Sequence, residues 1–357
     1  MNRMRAALLH SKKTAPRICV FLSLLVSLGT LAQAKEITDM FGRRLSMPDR
    51  PQRVYSASPP VTYMLYALDP AMLAGLNFPV REWEKKYLRK SMQSLPVLGG
   101  WFGQGQTPNL EMVLKAKPEI IVVSTPGGAF RSKMRYTVMK TMPMPVVDVA
   151  LDTLPDYPEA FLTFGRLLGR EARAGELAAY ARKTLSAMAE LAGSIPNQRR
   201  VSVYYAEGAD GLSTDCDRSG HAELIGVAGG RNVHGCHTQN LFGMEAVSLE
   251  QVMLYDPDVI LVKEPVFFTQ VFSDPRWQRV KAVKEKKVYL IPYEPFNWFD
   301  RPPSFMRLLG AKWLANLLYP DRYRVSMAKE TQEFFRLFLA VSLTPQEAGA
   351  ILRPQAP

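Results

Sequence analysis

The chemically suggestive residues of this chain are concentrated between Asp215 and Thr238. Cys216 and Cys236 lie there, together with His221, His234 and His237, the last two three positions apart in HGCH. Neutral imidazole is a common transition-metal ligand, so direct coordination by His234 and His237 is one chemistry that the spacing allows. A disulfide between Cys216 and Cys236 is the expected use of the cysteines in an oxidising compartment. It would close a loop of about 20 residues and contribute on the order of 3 kcal/mol. A second group consists of recognition residues at the ends of inferred strands: Ser58, Trp101 and Arg131 in the first half, and Tyr204, Tyr205, Trp298 and Arg301 in the second. Aromatic walls with a few arginines suit a planar or chelated anion, because guanidinium is a rigid donor fork and an aromatic ring gives flat contact at low entropy cost. Any one of these aromatics could equally be core. Asp300-Arg301-Pro302-Pro303 reads as a helix start with Asp300 as cap, which leaves Arg301 as a ligand contact or a solvated loop residue.

Catalytic signatures are absent. The chain has no GxxxxGK, GxSxG, HExxH or CxxC, and GQGQTP from Gly103 lacks the third glycine and the preceding strand of a dinucleotide site. A binding protein without a cofactor is therefore the stronger reading, and a metal-dependent enzyme using His234 and His237 the weaker.

These residues must be positioned by an alternation of strands and helices. Strands are expected at Arg53–Ala57, Ile120–Val123, Met144–Val149, Arg200–Tyr205, Val259–Val262 and Val288–Pro292, with helices between them, which implies parallel sheets covered on both faces. TPNLEMVLKAKPEIIVV from Thr107 returns as AVSLEQVMLYDPDVILV from Ala246, at a constant offset of 139 residues. The two copies lie on either side of Glu171–Ala192, where Leu177, Ala181, Leu185, Met188 and Leu191 mark one face of a long helix. At ~1.5 Å per residue that helix spans on the order of 33 Å, enough to strut two lobes. The expected organisation is an N-terminal α/β lobe (35–170), a bridging helix (171–193), a C-terminal α/β lobe (194–343) and a flexible tail (344–357). Ligands of parallel sheets bind beyond the carboxyl ends of the strands, here in an interlobe cleft. Glu111 and Glu250 occupy equivalent first-turn positions, favourable with the helix dipole by roughly 0.3–1 kcal/mol. Their duplication also suits one acidic knob per lobe, offered to a two-fold partner with basic pockets.

The chain has 357 residues, 47% of them hydrophobic, enough for two cores. Residues 1–34 combine a basic start, an apolar run from Ile18 to Leu31 and the small-residue pattern Ala32-Gln33-Ala34, and read as a cleavable signal peptide. The net charge of +12 falls to +7 without the five basic residues of that leader. No dense basic block accompanies it, so nucleic acid is not an expected partner, and a monomer is expected.

The segments DMFGRRLSMPDRPQRVYSASPPVTYMLYALD, NLEMVLKAKPEIIVVS, ELIGVAGGRNV and SLEQVMLYDPDVILV together make the chain similar to the substrate-binding proteins of ABC importers for iron-siderophore complexes, haem and cobalamin. The resemblance covers nearly all of the chain after the leader. It implies two Rossmann-like lobes bridged by one helix, limited closure and a periplasmic location. It further implies an iron chelate or other metal complex as ligand, and delivery to a dimeric inner-membrane permease with a cytoplasmic ATPase. Glutamates on each lobe of such proteins dock to permease arginines, and Glu111 and Glu250 look like those positions. Relatives also include binders of nickel or cobalt chelates and of molybdate-type oxyanions, which remain alternatives for the ligand, as does a sensor role for the protein.

Overall fold

The computed structural model describes residues 34–102, 107–124, 128–236 and 243–353, with residues 128–132 and 134 described by their backbone alone. The leader expected in 1–34, the Arg131 side chain and His237 therefore lie outside the described residues, apart from Ala34 itself. Among the described residues no helix is long and apolar enough to cross a membrane.

After an antiparallel hairpin of β1 (Ala34–Thr38) and β2 (Arg44–Pro48), the first lobe is built on a parallel sheet. Its strands are β3 (Val54–Ser56), β4 (Ile120–Val123) and β5 (Val146–Asp148), in that spatial order. In the second lobe β6 (Ser202–Ala206) is followed by the short β7 (Ser213–Thr214), β8 (Arg231–Asn232) and β9 (Glu245–Ala246), then by β10 (Val259–Val262) and β11 (Val288–Leu290). The main sheet there is parallel with order β11-β10-β6-β8, while β7 and β9 pair antiparallel at one side. Ile-Ile-Val-Val in β4 and Val-Ile-Leu-Val in β10 are buried along their whole length, as strands with helices on both faces require.

The 139-residue offset in sequence is an offset in structure. Helix Leu110–Lys115 precedes β4 as helix Leu249–Tyr255 precedes β10. Asn109 Oδ1 caps the first by accepting from Met112 N at 3.1 Å, and Ser248 Oγ caps the second by accepting from Gln251 N at 3.2 Å. Glu119 Oε2 accepts from Arg53 N at 2.9 Å just before β3; Asp258 Oδ2 accepts from Ser202 N at 2.9 Å at the start of β6. Each lobe thus ties the start of its first parallel strand to its central one with a carboxylate at the equivalent position, a glutamate in the first and an aspartate in the second.

The bridging helix runs from Glu171 to Gly193 and buries Ala174, Leu177, Ala178, Ala181, Thr184 and Met188. It packs along helix Tyr157–Leu168, closely enough at Gly165 that a Cβ there would lie 2.5 Å from Ala174 Cβ. Helix Met306–Leu318 of the second lobe covers another part of it. Gly169, in the left-handed conformation at φ 64°, ends the preceding helix and turns the chain into the bridge.

Two expectations are corrected. The proposed flexible tail contains helix Pro345–Ile351, opened by Thr344, whose Oγ1 accepts from Glu347 N at 3.2 Å, and its Ala348 and Ile351 are buried. Before it, residues 327–339 fold back across the bridge: Phe334 and Phe338 stack at 4.2 Å and meet Tyr180 of the bridge at 5.6 and 5.4 Å. Phe338 also reaches Phe161, and Phe335 reaches Tyr87 of the first lobe at 5.3 Å. The lobes are therefore stitched by returning aromatic side chains as well as by the helix. Asp300 is not a helix cap, because the closing helix begins only at Met306. Its buried carboxylate instead pairs with His221 Nδ1 at 2.5 Å.

Candidate functional site

Between the lobes, beyond the carboxyl ends of the parallel strands, lies a cleft of about 590 Å³, within the size range of small-molecule sites. The first lobe contributes Pro59, Thr62, Tyr63, Asn77, Phe78, Arg81, Trp83 and Glu84; the second contributes Lys263, Glu264, Tyr293, Phe296, Asn297 and Arg301.

The floor on the first side is rigid. Thr62 Oγ1 donates to Asn77 Oδ1 at 2.6 Å, and Asn77 Nδ2 donates to the carbonyls of Ser56 and Gly99 at 3.0 and 2.8 Å. Gly100 is required there, since a Cβ would lie 2.5 Å from Ala57 O and 2.8 Å from Asn77 Nδ2. The aromatic walls meet across the cleft. Tyr63 and Phe296 approach to 4.2 Å between centroids, and Trp83 meets Tyr293 edge-on at 6.2 Å. Arg81 lies 5.2 Å from the centroid of the half-exposed Trp83 ring, and its guanidinium makes no ion pair among the described residues. Beside the cleft Tyr87 OH donates to Glu294 Oε2, which also pairs with Lys86 Nζ at 3.1 Å, a polar link between lobes.

On the second side Arg301 is held from behind. Its Nε donates to Glu207 Oε1 and its Nη2 to Asp215 Oδ2, each at 2.6 Å, and both carboxylates are fully buried. Asp300 Oδ2 lies 3.6 Å from Nε, and Lys263 Nζ lies 4.0 Å from Glu207 Oε1. Burial pushes the Glu207 carboxyl above its usual range, with Asp215 adding to the shift and Arg301 opposing it. Asp215 moves down: burial would raise it, but hydrogen bonding with Glu207 and the Arg301 charge outweigh that. Burial also disfavours the Arg301 charge, yet Glu207, Asp300 and Asp215 together stabilise it. The result is a permanently cationic fork whose remaining nitrogen, Nη1, makes no hydrogen bond with any described residue.

Of Ser58, Trp101, Tyr204, Tyr205, Trp298 and Arg301, the expected recognition residues whose side chains are described, Arg301 alone lines the cleft wall. Ser58 is buried next to the wall, at the start of helix Pro59–Leu68, with its hydroxyl donating to Ser124 O at 3.2 Å. Trp101 packs edge-on against Tyr55 in the core of the first lobe. Tyr204 is fully buried and donates to Gly211 O at 2.8 Å; Tyr205 is fully buried against Phe299. Trp298 is also fully buried, with Nε1 donating to Glu294 O at 2.9 Å. These four aromatics belong to the hydrophobic cores, because apolar surface at strand ends is consumed by the helices that cover the sheets. Phe78, Arg81 and Trp83 were missed: they lie in a charged stretch without periodicity, where an isolated tryptophan beside an arginine was the one available signal.

The disulfide Cys216–Cys236 is present. It removes both sulfurs from the grouping of Cys216, Asp217 and Cys236, the one cluster of potential metal ligands found among the described residues. His234 is buried, with Nδ1 2.8 Å from Tyr255 OH and Nε2 3.0 Å from Glu245 Oε2, away from the cleft. Glu111 and Glu250 are both exposed, at the equivalent first turns expected of them.

A model of the periplasmic binding protein family matches residues 55–295. A solute-binding protein of an ABC transporter from Sulfurospirillum deleyianum is 40% identical, covering 88% of this chain and 98% of that one, with a TM-score of 0.83. The molybdate-binding protein MolA of Haemophilus influenzae is 26% identical over 359 residues, which is 91% of this chain and 97% of the relative. The crystal structure of MolA bound to molybdate covers 87% of this chain and 99% of its own, with a TM-score of 0.68 at 22% identity, a likeness of fold. With two lobes of parallel sheet on a bridging helix and a family match spanning the strands of both, the chain belongs to the periplasmic binding protein family, as a solute-binding protein of an ABC transporter.

Proposed function

We propose that this solute-binding protein captures an anionic metal complex, an iron chelate or a related one, in the interlobe cleft and delivers it to a dimeric inner-membrane permease. The observation that carries the reading is the pairing of Arg81 and Arg301, which line one aromatic-walled cleft of about 590 Å³ from opposite lobes. Guanidinium groups on two lobes favour a ligand with separated anionic oxygens, and the faces of Trp83, Tyr293 and Phe296 suit the organic part of a chelate. Exposed Glu111 and Glu250 would present the loaded protein to basic pockets of the permease.

A bare tetrahedral oxyanion is the second reading. It is supported by the 26% identity with a protein described as molybdate-binding. Such an ion displaces only a few waters and would leave most of the cleft empty unless Arg81 and Arg301 closed on it.

Fluorescence titration decides between them, with Trp83 at the cleft mouth as the reporter. The ligands are a ferric catecholate, ferric citrate, haem, nickel-histidine and molybdate. Saturation at one equivalent of a chelate, lost in Trp83→Phe and weakened about tenfold in Arg81→Ala, supports the first reading. Saturation by molybdate alone overturns it in favour of the second. Binding of none overturns both.

A further inference from the structure

Arg301 is a long side chain on a loop, and its guanidinium is held by the carboxylates of Glu207 and Asp215, with that of its neighbour Asp300 at 3.6 Å. Of these, Asp215 is itself held by a knot of contacts centred on the Cys216–Cys236 bridge. Asp215 precedes Cys216 directly. Its carbonyl accepts from Asn232 Nδ2 at 2.9 Å, and its Oδ1 accepts from Ser219 Oγ at 2.9 Å. On the other side of the bridge Cys236 N donates to Asp217 Oδ1 at 3.1 Å, and Asp217 N donates to His234 O at 2.9 Å. The path from the disulfide to the cleft is therefore short: the bond from Cys236 to Cys216, one peptide step to Asp215, and its carboxylate to Arg301 Nη2 at 2.6 Å. Gly243 closes over the same pair, where a Cβ would lie 1.8 Å from Asp215 Oδ1 and 2.5 Å from Arg301 Nη2.

We infer that Asp215 and the Cys216–Cys236 disulfide are positioning elements for ligand binding: the bridge fixes Asp215, and Asp215 fixes the Arg301 guanidinium at the cleft. The argument is one of pre-organisation. An arginine free to sample several rotamers loses that freedom when it binds an anion, whereas one already clamped by two buried carboxylates has lost it in advance. Opening the bridge releases the 216–236 loop, lets Asp215 move and restores the freedom of Arg301. The inference rests on the anion-binding reading of the cleft for its effect on affinity, but not for its effect on Arg301 itself.

The test compares wild type, Cys216→Ser/Cys236→Ser, Asp215→Asn and the triple variant. Two quantities are read: the rate at which phenylglyoxal modifies Arg301, by peptide mapping, and the dissociation constants for molybdate and a ferric catecholate. Both the bridge variant and Asp215→Asn should label Arg301 several-fold faster and bind about tenfold more weakly. The triple variant should bind no more weakly than Asp215→Asn alone, because the bridge acts through that carboxylate. A merely structural bridge would lower the melting temperature without this non-additivity. A folded bridge variant with wild-type labelling and affinity overturns the inference. If wild type binds neither probe, the anion reading fails on its own and the labelling rates still decide the positioning role. Should the bridge variant not fold, Asn232→Ala keeps the disulfide and removes the contact to the Asp215 carbonyl, together with the one that Asn232 Oδ1 accepts from His234 N at 3.1 Å. Unchanged labelling in that variant overturns the inference, and faster labelling supports it.

Discussion

Lys117 and Asp256, 139 residues apart, occupy the same place in the two lobes: each sits in the left-handed region, at φ 49° and 41°, just past the equivalent helices Leu110–Lys115 and Leu249–Tyr255. A proline follows each and then the buried strand, so the chain reverses within one residue to pass from helix to sheet. Side chains other than glycine pay roughly 1–2 kcal/mol there, and aspartate pays least of them because its short polar side chain bonds locally. Lys117→Gly should therefore stabilise the protein by up to about 1 kcal/mol, and Asp256→Gly by less. Urea unfolding of the two variants checks the order; a destabilising Lys117→Gly would show that its side chain contributes more than its backbone costs.

Glu111 and Glu250 lie six residues before that pair, on exposed first turns. Neither carboxylate has an ion-pair partner among the described residues, so reversing the charge breaks no ion pair, and at Glu250 it removes only local hydrogen bonds to its own backbone and to Ser248. Glu111→Lys with Glu250→Lys should abolish stimulation of the permease-coupled ATPase and leave the dissociation constant for ligand within about twofold. Either single variant should retain part of the stimulation. A double variant with weakened ligand binding would count against a docking role and for a role in lobe structure.

The repeat, the bridging helix and the disulfide were legible in sequence because each rests on local pattern. The 139-residue offset needs only matching helix-then-strand strings, the bridge needs only its apolar face at Leu177, Ala181 and Met188, and the two cysteines outside the expected leader, Cys216 and Cys236, have one pairing. The cleft was not legible, because it depends on which aromatics the packing leaves over. Tyr204 and Tyr205 stand at the end of β6, where a ligand contact was reasonable, yet both are buried in the second lobe and its junction with the bridge. Trp83, in a polar segment with no partner strand, was the side chain left at the mouth, 41% exposed.

Gly175 is the one interior glycine of the bridging helix whose presence nothing in the packing requires: a Cβ built there meets no atom within 4 Å. Gly165 in the helix before it is the contrast, since the same substitution would drive a methyl into Ala174. Gly175→Ala should raise stability by about 1 kcal/mol, the ordinary propensity difference, with no change in ligand affinity. Gly165→Ala should lower it by roughly 1–3 kcal/mol through overpacking. Denaturant midpoints measured side by side separate the two, and a Gly175→Ala variant with altered affinity would mean that the bridge flexes at that position during binding.

Glu207 gives the site a pH signature of definite sign. Its folded-state carboxyl is raised above the usual glutamate range, by burial first and by Asp215 second, so within the interval between the ordinary and the raised value the folded protein holds a proton that the unfolded chain has released. Stability must then fall as pH rises through that interval, and be unaffected by this group below it. Asp215 has the opposite sign and a different window, since its carboxyl is lowered and its contribution is lost only as pH falls below the ordinary aspartate range. Glu207→Gln replaces the protonated carboxyl with a neutral isostere and removes the titration. Melting temperatures of wild type and Glu207→Gln, compared from about pH 5 upward, should diverge, with wild type losing stability and the variant staying level. Parallel curves would mean that Arg301 and Lys263 hold Glu207 ionised across the range, and that the clamp on Arg301 carries its full negative charge at every pH measured.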